Sequence, residues 1–358
     1  MGISSVAGKV QTVLGPIDPD DLGVTLCHEH LILDTSAWFS MPTTASERGL
    51  ASQPVTMENL HWLHYHAGNS LDNLRLMDED LAISEALRYK RAGGSTIVDV
   101  TNIGLARDPL ALQRIARATG LHIIMGSGYY VEQSRPSDFA SKTEEEIAEE
   151  IVQEITVDIG NTRVRAGIIG EIGCRDPLSE GDRKGLRASA RAQKRTGAPL
   201  NIHPGYPNPA CSFEIIKVLK DAGADLTRVV LSHISHILAD VETISKLANA
   251  GCYLEYDIFG RAPGIIMGSG QYRGQDFLEV PSDGQLLDAI KQLIDQGYLT
   301  KILISHDVCH KIRLHRYGGS GYDHILTYVV PLMRSKGMPE EHIHALLVGN
   351  PKRLLQFV

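Results

Sequence analysis

The chain lacks the cysteine pattern of a stapled or zinc-finger protein. Its five cysteines, Cys27, Cys174, Cys211, Cys252 and Cys309, are odd in number, widely separated and free of any C-x-x-C pair. That usage fits reduced thiols better than a disulfide framework. Also missing are an apolar run approaching a membrane span, an Asn-x-Ser/Thr sequon and a block of like charge long enough to form an interaction tail. No signal peptide opens the chain, and Met1-Gly2 is followed by Val6 where a myristoylation signal requires Ser or Thr. A formal charge of −8 argues against a nucleic-acid or acidic-membrane surface. Hydrophobic residues at 43% and charged residues at 22% are ordinary globular values. The expectation is a cytoplasmic protein acting on a small-molecule substrate, with a homodimer as a candidate assembly and neither nucleic acid nor membrane as partner.

What is present is a regular alternation. Short apolar runs at Gly23–Cys27, Ser95–Thr101, His122–Ser127, Arg165–Glu171, Pro199–His203, Arg228–His233, Cys252–Asp257 and Lys301–Ser305 read as strands. Most are continuous rather than alternating, as parallel strands buried on both faces require. Helical patterns lie between them. Thr143 with Glu146 makes a capping box, and Glu214–Asp221, Asp240–Ala250 and Gln285–Gln296 are amphipathic near a period of 3.6. Gly94, Gly120, Gly197, Gly223, Gly251 and Gly297 stand where helices should end. The predicted fold is α/β, a (β/α)8 TIM barrel formed as one domain over residues 1–358, with long loops after strands one and seven. An open doubly wound sheet is the competitor. It would carry a glycine-rich loop after strand one, where this chain reads His28-Glu29-His30.

The strand ends carry the chemistry. His28 and His30 follow strand one, two residues apart, so both side chains aim to the same side and can chelate. Glu171 ends strand four, His203 strand five, His233 strand six, and Asp307 follows strand eight. Taken singly each has a bland alternative: a polar strand end, a salt bridge from Glu171 to Arg175, a hydrogen-bonded structural histidine, or a helix cap at Asp307. Jointly, six imidazole and carboxylate groups at the ends of successive strands suit borderline divalent metals. Cys27 and Cys174 read as small packing residues.

At these residues the chain resembles the phosphotriesterase family of the amidohydrolase superfamily. The likeness runs from Gly8-Lys9-Val10-Gln11-Thr12-Val13-Leu14-Gly15 through Asn350-Pro351. Gly167-Ile168-Ile169-Gly170-Glu171-Ile172-Gly173-Cys174, Gly251-Cys252-Tyr253-Leu254-Glu255-Tyr256-Asp257 and Tyr317-Gly318-Gly319-Ser320-Gly321-Tyr322 carry it closest to the eukaryotic phosphotriesterase-related branch. The resemblance implies two divalent metal ions, zinc or else manganese, iron or cobalt. His28, His30 and Asp307 would hold the buried ion, and His203 and His233 the exposed one. Glu171 stands where most members bridge the metals with a carbamylated lysine, a replacement shared with that branch, so the site should assemble without bicarbonate. Asp257 is followed by Ile258, where lactonase-type members carry arginine. The branch is associated with hydrolysis of N-acetyltaurine to taurine and acetate, which implies a metal-dependent amidohydrolase. A promiscuous lactonase or phosphotriesterase using the same site is the alternative.

With that chemistry Asp307 and Glu171 become the catalytic candidates, Asp307 as the group that takes a proton and passes it to the leaving amine. A taurine leaving group carries a sulfonate, which calls for cationic or amide donors. Arg175, Arg261, Lys311, Arg313 and Arg316 are the expected cations, with Tyr130 and Tyr206 as hydroxyl donors or pocket walls. The group after strand eight, Lys311 to Tyr317, is favoured over the others.

Overall fold

The computed structural model describes residues 6–205, 209–237, 241–268 and 277–358. Eight segments pair in parallel in one sheet: β1 (Thr25–Glu29), β2 (Thr96–Asp99), β3 (His122–Ser127), β4 (Ile168–Gly173), β5 (Leu200–His203), β6 (Val229–Leu231), β7 (Tyr253–Tyr256) and β8 (Ile302–Ile304). Each strand is hydrogen-bonded to the next in chain order, from β1 through β8. At the seam the Asp307 amide donates to the His28 carbonyl (3.2 Å) and the His28 amide to Ser305 Oγ (3.0 Å), so the sheet curls nearly closed into a barrel.

Alternation along the strands divides the apolar side chains between two layers. Cys27, Val98, Ile124, Ile168, Val230 and Leu303 belong to one cluster, inside the barrel. Leu26, Ile97, Ile123, Ile169, Leu200 and Leu254 join the helices in a second, larger one. The register slips twice, between Leu26 and Glu29 and between Ile169 and Ile172. A bulge inserts a residue and re-aims the side chains beyond it. Both slips fall where His28 and Glu171 turn inward after an inward-facing residue has already gone by. At the second, Gly170 has φ +129°, and an added Cβ would lie 2.3 Å from the Asn201 carbonyl oxygen, so a side chain there is excluded.

The helices α1 (Glu79–Arg91), α2 (Pro109–Thr119), α3 (Glu144–Thr156), α4 (Glu180–Thr196), α5 (Pro209–Asp221), α6 (Val241–Asn249) and α7 (Asp283–Asp295) fill the connections between the strands. Thr143 and Glu146 form the expected capping box on α3. Gly120 and Gly197 end α2 and α4 in the left-handed conformation. After α1 the left-handed residue is Gly93, not Gly94. Gly94 is glycine for another reason, since a Cβ there would meet the Tyr89 ring at 2.3 Å. The two long loops both leave the C-terminal ends of their strands. One pairs Leu33–Asp34 with Arg75–Leu76, and the other folds Gly264–Met267 against Phe277–Val280. Among the described residues no helix is long and apolar enough to cross a membrane.

The seam is locked by Glu29, which is fully buried. Its Oε1 accepts from Ser305 Oγ (2.8 Å), the His306 amide (2.9 Å) and His306 Nδ1 (2.7 Å), and its Oε2 from the Val308 amide (3.0 Å). Glu29→Ala would strand all four donors in the core and is expected to cost about 3–5 kcal/mol of folding stability. Urea unfolding measures this, and a loss below about 1 kcal/mol would show the clamp to be dispensable.

Candidate active site

Six side chains from five strand ends meet at the mouth of the barrel. His28, His30 and Asp307 bring one set of donor atoms together, and Glu171, His203 and His233 another. All six are buried. Glu171 joins the sets: Oε1 stands 3.4 Å from His30 Nε2, while Oε2 stands 3.6 Å from His28 Nε2, 3.0 Å from His203 Nδ1 and 3.6 Å from His233 Nε2. His30 Nε2 is 3.5 Å from Asp307 Oδ1. Two donors on one zinc-sized ion, each roughly 2.0–2.2 Å away, stand about 3.4 Å apart in a tetrahedral arrangement. The observed separations have that scale, and His28 Nε2, buried and without a hydrogen-bond partner, points at Glu171. The donor set therefore fits a pair of divalent cations.

The far sides of the rings are held in place. His28 Nδ1 stands 3.0 Å from Glu255 Oε2 and 3.2 Å from Ser232 Oγ, and His30 Nδ1 is 2.9 Å from Thr101 Oγ1. Asp257 Oδ2 accepts the His233 amide (2.8 Å) and lies 2.9 Å from His233 Nδ1. His28, His233 and Asp257 also make a geometric trio, but both imidazoles turn their Nε2 toward Glu171. That leaves Asp257 as an orienting group. His233 and Asp307 both carry positive φ, 61° and 53°. Non-glycine residues are held there only when the surroundings over-determine them, a strain that gathers at functional sites.

Charge explains why these contacts are tight. Burial alone pushes Glu171 and Asp307 upward, yet both are held below the usual carboxylate range, Glu171 chiefly by His28 and His203, Asp307 by His30 and Arg261. Burial opposes the charged form of His233, but Asp257 and Glu171 raise it to about 9. Four buried carboxylates, Glu171, Glu255, Asp257 and Asp307, share this space, and among the described residues the arginine ion-paired with one of them is Arg261, on Asp307. Such a group demands further cations.

The cavity above the donors is walled by Thr35, Trp38, Leu74, Tyr130, Ile266 and His310. Tyr130 Oη approaches His203 Nδ1 at 3.3 Å, and Trp38 stands edge-on to Tyr130 with ring centroids 6.3 Å apart. The other cations named from sequence lie elsewhere. Arg175 pairs with Glu132, not with Glu171, and Lys311 pairs with Asp72 at 2.6 Å. Arg316 is exposed, Arg313 is buried behind the loop after β8, and Arg261 donates to Asp307 Oδ2 at 2.9 Å. None of these five lines the cavity. Tyr206 falls outside the described residues. Glu255 escaped sequence reasoning although it stands two residues before Asp257 on β7, the same spacing that marked His28 and His30. Trp38 and His310 sit in long loops, where no periodicity points inward.

Residues 8–355 match the sequence profile of the phosphotriesterase family. The chain belongs to the phosphotriesterase family. Members of this family are metal-dependent hydrolases, and the six clustered donors are side chains that could hold metal ions. N-acetyltaurine hydrolase of Homo sapiens is 40% identical over 356 residues, covering 99% of this chain and 100% of that one. The Dictyostelium discoideum protein of the same name is 39% identical, with 98% of each chain covered. Among solved structures, a resiniferatoxin-binding protein from Rhodobacter sphaeroides superposes with a TM-score of 0.93 at 36% identity, covering 99% of this chain and 97% of that one. The phosphotriesterase homology protein from Escherichia coli, with phosphate in its active site, superposes at 0.76 with 26% identity, covering 94% of this chain and 100% of that one.

In a family member the groups behind the ligands matter nearly as much as the ligands. Glu255→Gln keeps the shape but takes the charge from behind His28, and a 10- to 100-fold weaker metal affinity is the expected order of effect. Competition against a chromogenic chelator measures it. Unchanged affinity would mean that Ser232 alone orients His28.

Proposed function

We propose that this protein hydrolyses the amide bond of N-acetyltaurine, or of a close N-acyl taurine, to taurine and a carboxylate, using two divalent cations. His28, His30 and Asp307 would hold one ion, His203 and His233 the other, and Glu171 would bridge them. Zinc is the preferred metal, since imidazole and carboxylate donors at tetrahedral spacing suit it. The carrying observation is the convergence of both donor sets on the two oxygens of Glu171. The substrate is taken from the names of the relatives that match over nearly the full length of both chains. The apolar Ile258 after Asp257, fully buried, leaves no cation at that point of β7's loop and supports an amide over a lactone. A cytoplasmic setting is part of the proposal, supported by five cysteines that are all free and buried.

When bound, the two ions polarise the amide carbonyl and make water nucleophilic at neutral pH. The chain's own residues do the rest. Asp307 lines the cavity and divides its carboxylate, Oδ1 toward His30 and Oδ2 toward Arg261, so it is fixed where a proton from water can be taken and handed to the leaving nitrogen. Leu74, Ile266 and the Trp38 ring give the acyl methyl an apolar wall, and Tyr130 Oη offers a donor beside His203. Side-by-side kinetics on N-acetyltaurine, a γ-lactone and an aryl phosphotriester test the reading. It predicts that kcat/KM for N-acetyltaurine exceeds the others by on the order of 10²-fold or more. Faster turnover of the lactone or the triester would overturn it.

A further inference from the structure

Arg261 touches Asp307 and also lines a second cleft, formed by the loops after β1, β7 and β8, with His64, Asp283, Arg313, Ser320 and His324. Arg313 is the unusual member. It is 7% exposed, and its Nη2 donates to two backbone carbonyls, those of Phe259 (3.1 Å) and His306 (2.9 Å). Its Nε and Nη1 are buried with no hydrogen-bond partner, and among the described residues no carboxylate lies within ion-pair distance of it. A buried guanidinium without a counter-ion is costly, and so is each buried N–H without an acceptor. Burial, and next Arg261, draw its pKa down only to about 10, so it stays cationic at neutral pH.

The other charges facing the cleft do not relieve it. Asp283 is the carboxylate in the lining, and both of its oxygens are engaged, Oδ2 by His324 Nε2 at 2.6 Å and Oδ1 by the Gly260 amide at 2.9 Å. Arg261 adds a second positive charge, and His64 sits half-buried in the lining. Nε–H and Nη1–H lie on different edges of the guanidinium, so each is a single charge-assisted donor suited to one oxygen of an oxyanion.

We propose that this cleft is a binding site for the sulfonate or carboxylate of a small molecule, with the Arg313 guanidinium as its donor and Arg261 as the second cation. The anion has two sources: the acidic end of the substrate under hydrolysis, which rests on the amide-hydrolase reading, or a free anion that acts on Asp307 through Arg261.

Methanesulfonate titrated calorimetrically into the metal-loaded wild-type enzyme, R313Q and S320D tests the site. The last variant keeps Arg313 and places a carboxylate in the lining, so it decides the matter if R313Q fails to fold. Wild type is expected to bind methanesulfonate at least about tenfold more tightly than either variant, the scale of one charge-assisted hydrogen bond. Steady-state kinetics with N-acetyltaurine and neutral N-ethylacetamide then separate the sources. If the substrate supplies the anion, methanesulfonate competes, and R313Q raises KM for N-acetyltaurine about tenfold while kcat/KM for N-ethylacetamide changes less than about twofold. If a free anion is bound, methanesulfonate changes kcat for both substrates alike without competing. Equal methanesulfonate affinity in wild type and in folded variants, with unchanged preference between the substrates, overturns the proposal and leaves Arg313 a structural tie. A wild-type enzyme that ignores N-acetyltaurine yet binds methanesulfonate through Arg313 would refute the substrate and keep the cleft.

Discussion

Asp307→Asn is expected to lower kcat for N-acetyltaurine by roughly 10²–10⁴-fold, the usual range for loss of a general acid–base group. KM should change only a few-fold, because the residues that wall the cavity stay in place. The reason lies in the division of the carboxylate. Oδ1 faces His30 Nε2 at 3.5 Å and Oδ2 accepts from Arg261 at 2.9 Å. Asparagine has a single acceptor oxygen for these two neighbours and cannot take a proton at neutral pH. Five other donor side chains remain, so the purified variant should retain its metals. Near-normal turnover in a metal-loaded variant would remove Asp307 from the proton path.

Glu171→Gln should be more damaging. Oε1 of Glu171 faces His30, and three ring nitrogens, those of His28, His203 and His233, lie within 3.6 Å of Oε2. The amide offers one oxygen and no charge, and its NH2 would be pressed against imidazole nitrogens. Metal content is expected to fall below the wild-type level, with turnover reduced on the order of 10³-fold or more, about 4 kcal/mol of transition-state stabilisation. Metal analysis and kinetics on the same preparation check both parts. Wild-type protein prepared with bicarbonate excluded should be fully active, since a glutamate needs no carbamylation. Unchanged metal content and activity in Glu171→Gln would contradict the bridging role.

The barrel was legible because its strands are short, apolar and separated by amphipathic helices, a pattern that an open sheet shares only up to the first loop. The cluster of six donor side chains was legible for a related reason. Its members fall at strand ends, where chain position and spatial position coincide. Two features needed the structure. The register slips at Leu26–Glu29 and Ile169–Ile172 decide that His28 and Glu171 face inward, and a slip of one residue leaves no mark in hydrophobic period. The cations for an acidic leaving group were the least legible, since an arginine in a loop can reach in many directions. Lys311 and Arg175 turned to nearby carboxylates, whereas Arg313 turned inward and found none.

Under the proposed function, amide hydrolysis depends on cations held between Glu171 and its neighbours. Its most direct test is chelation of the purified enzyme followed by stepwise return of zinc without bicarbonate, with taurine release measured at each step. Activity should vanish on chelation and return in proportion to added metal, saturating near two ions per chain. Undiminished taurine release from protein shown to be metal-free would rule out metal-dependent hydrolysis.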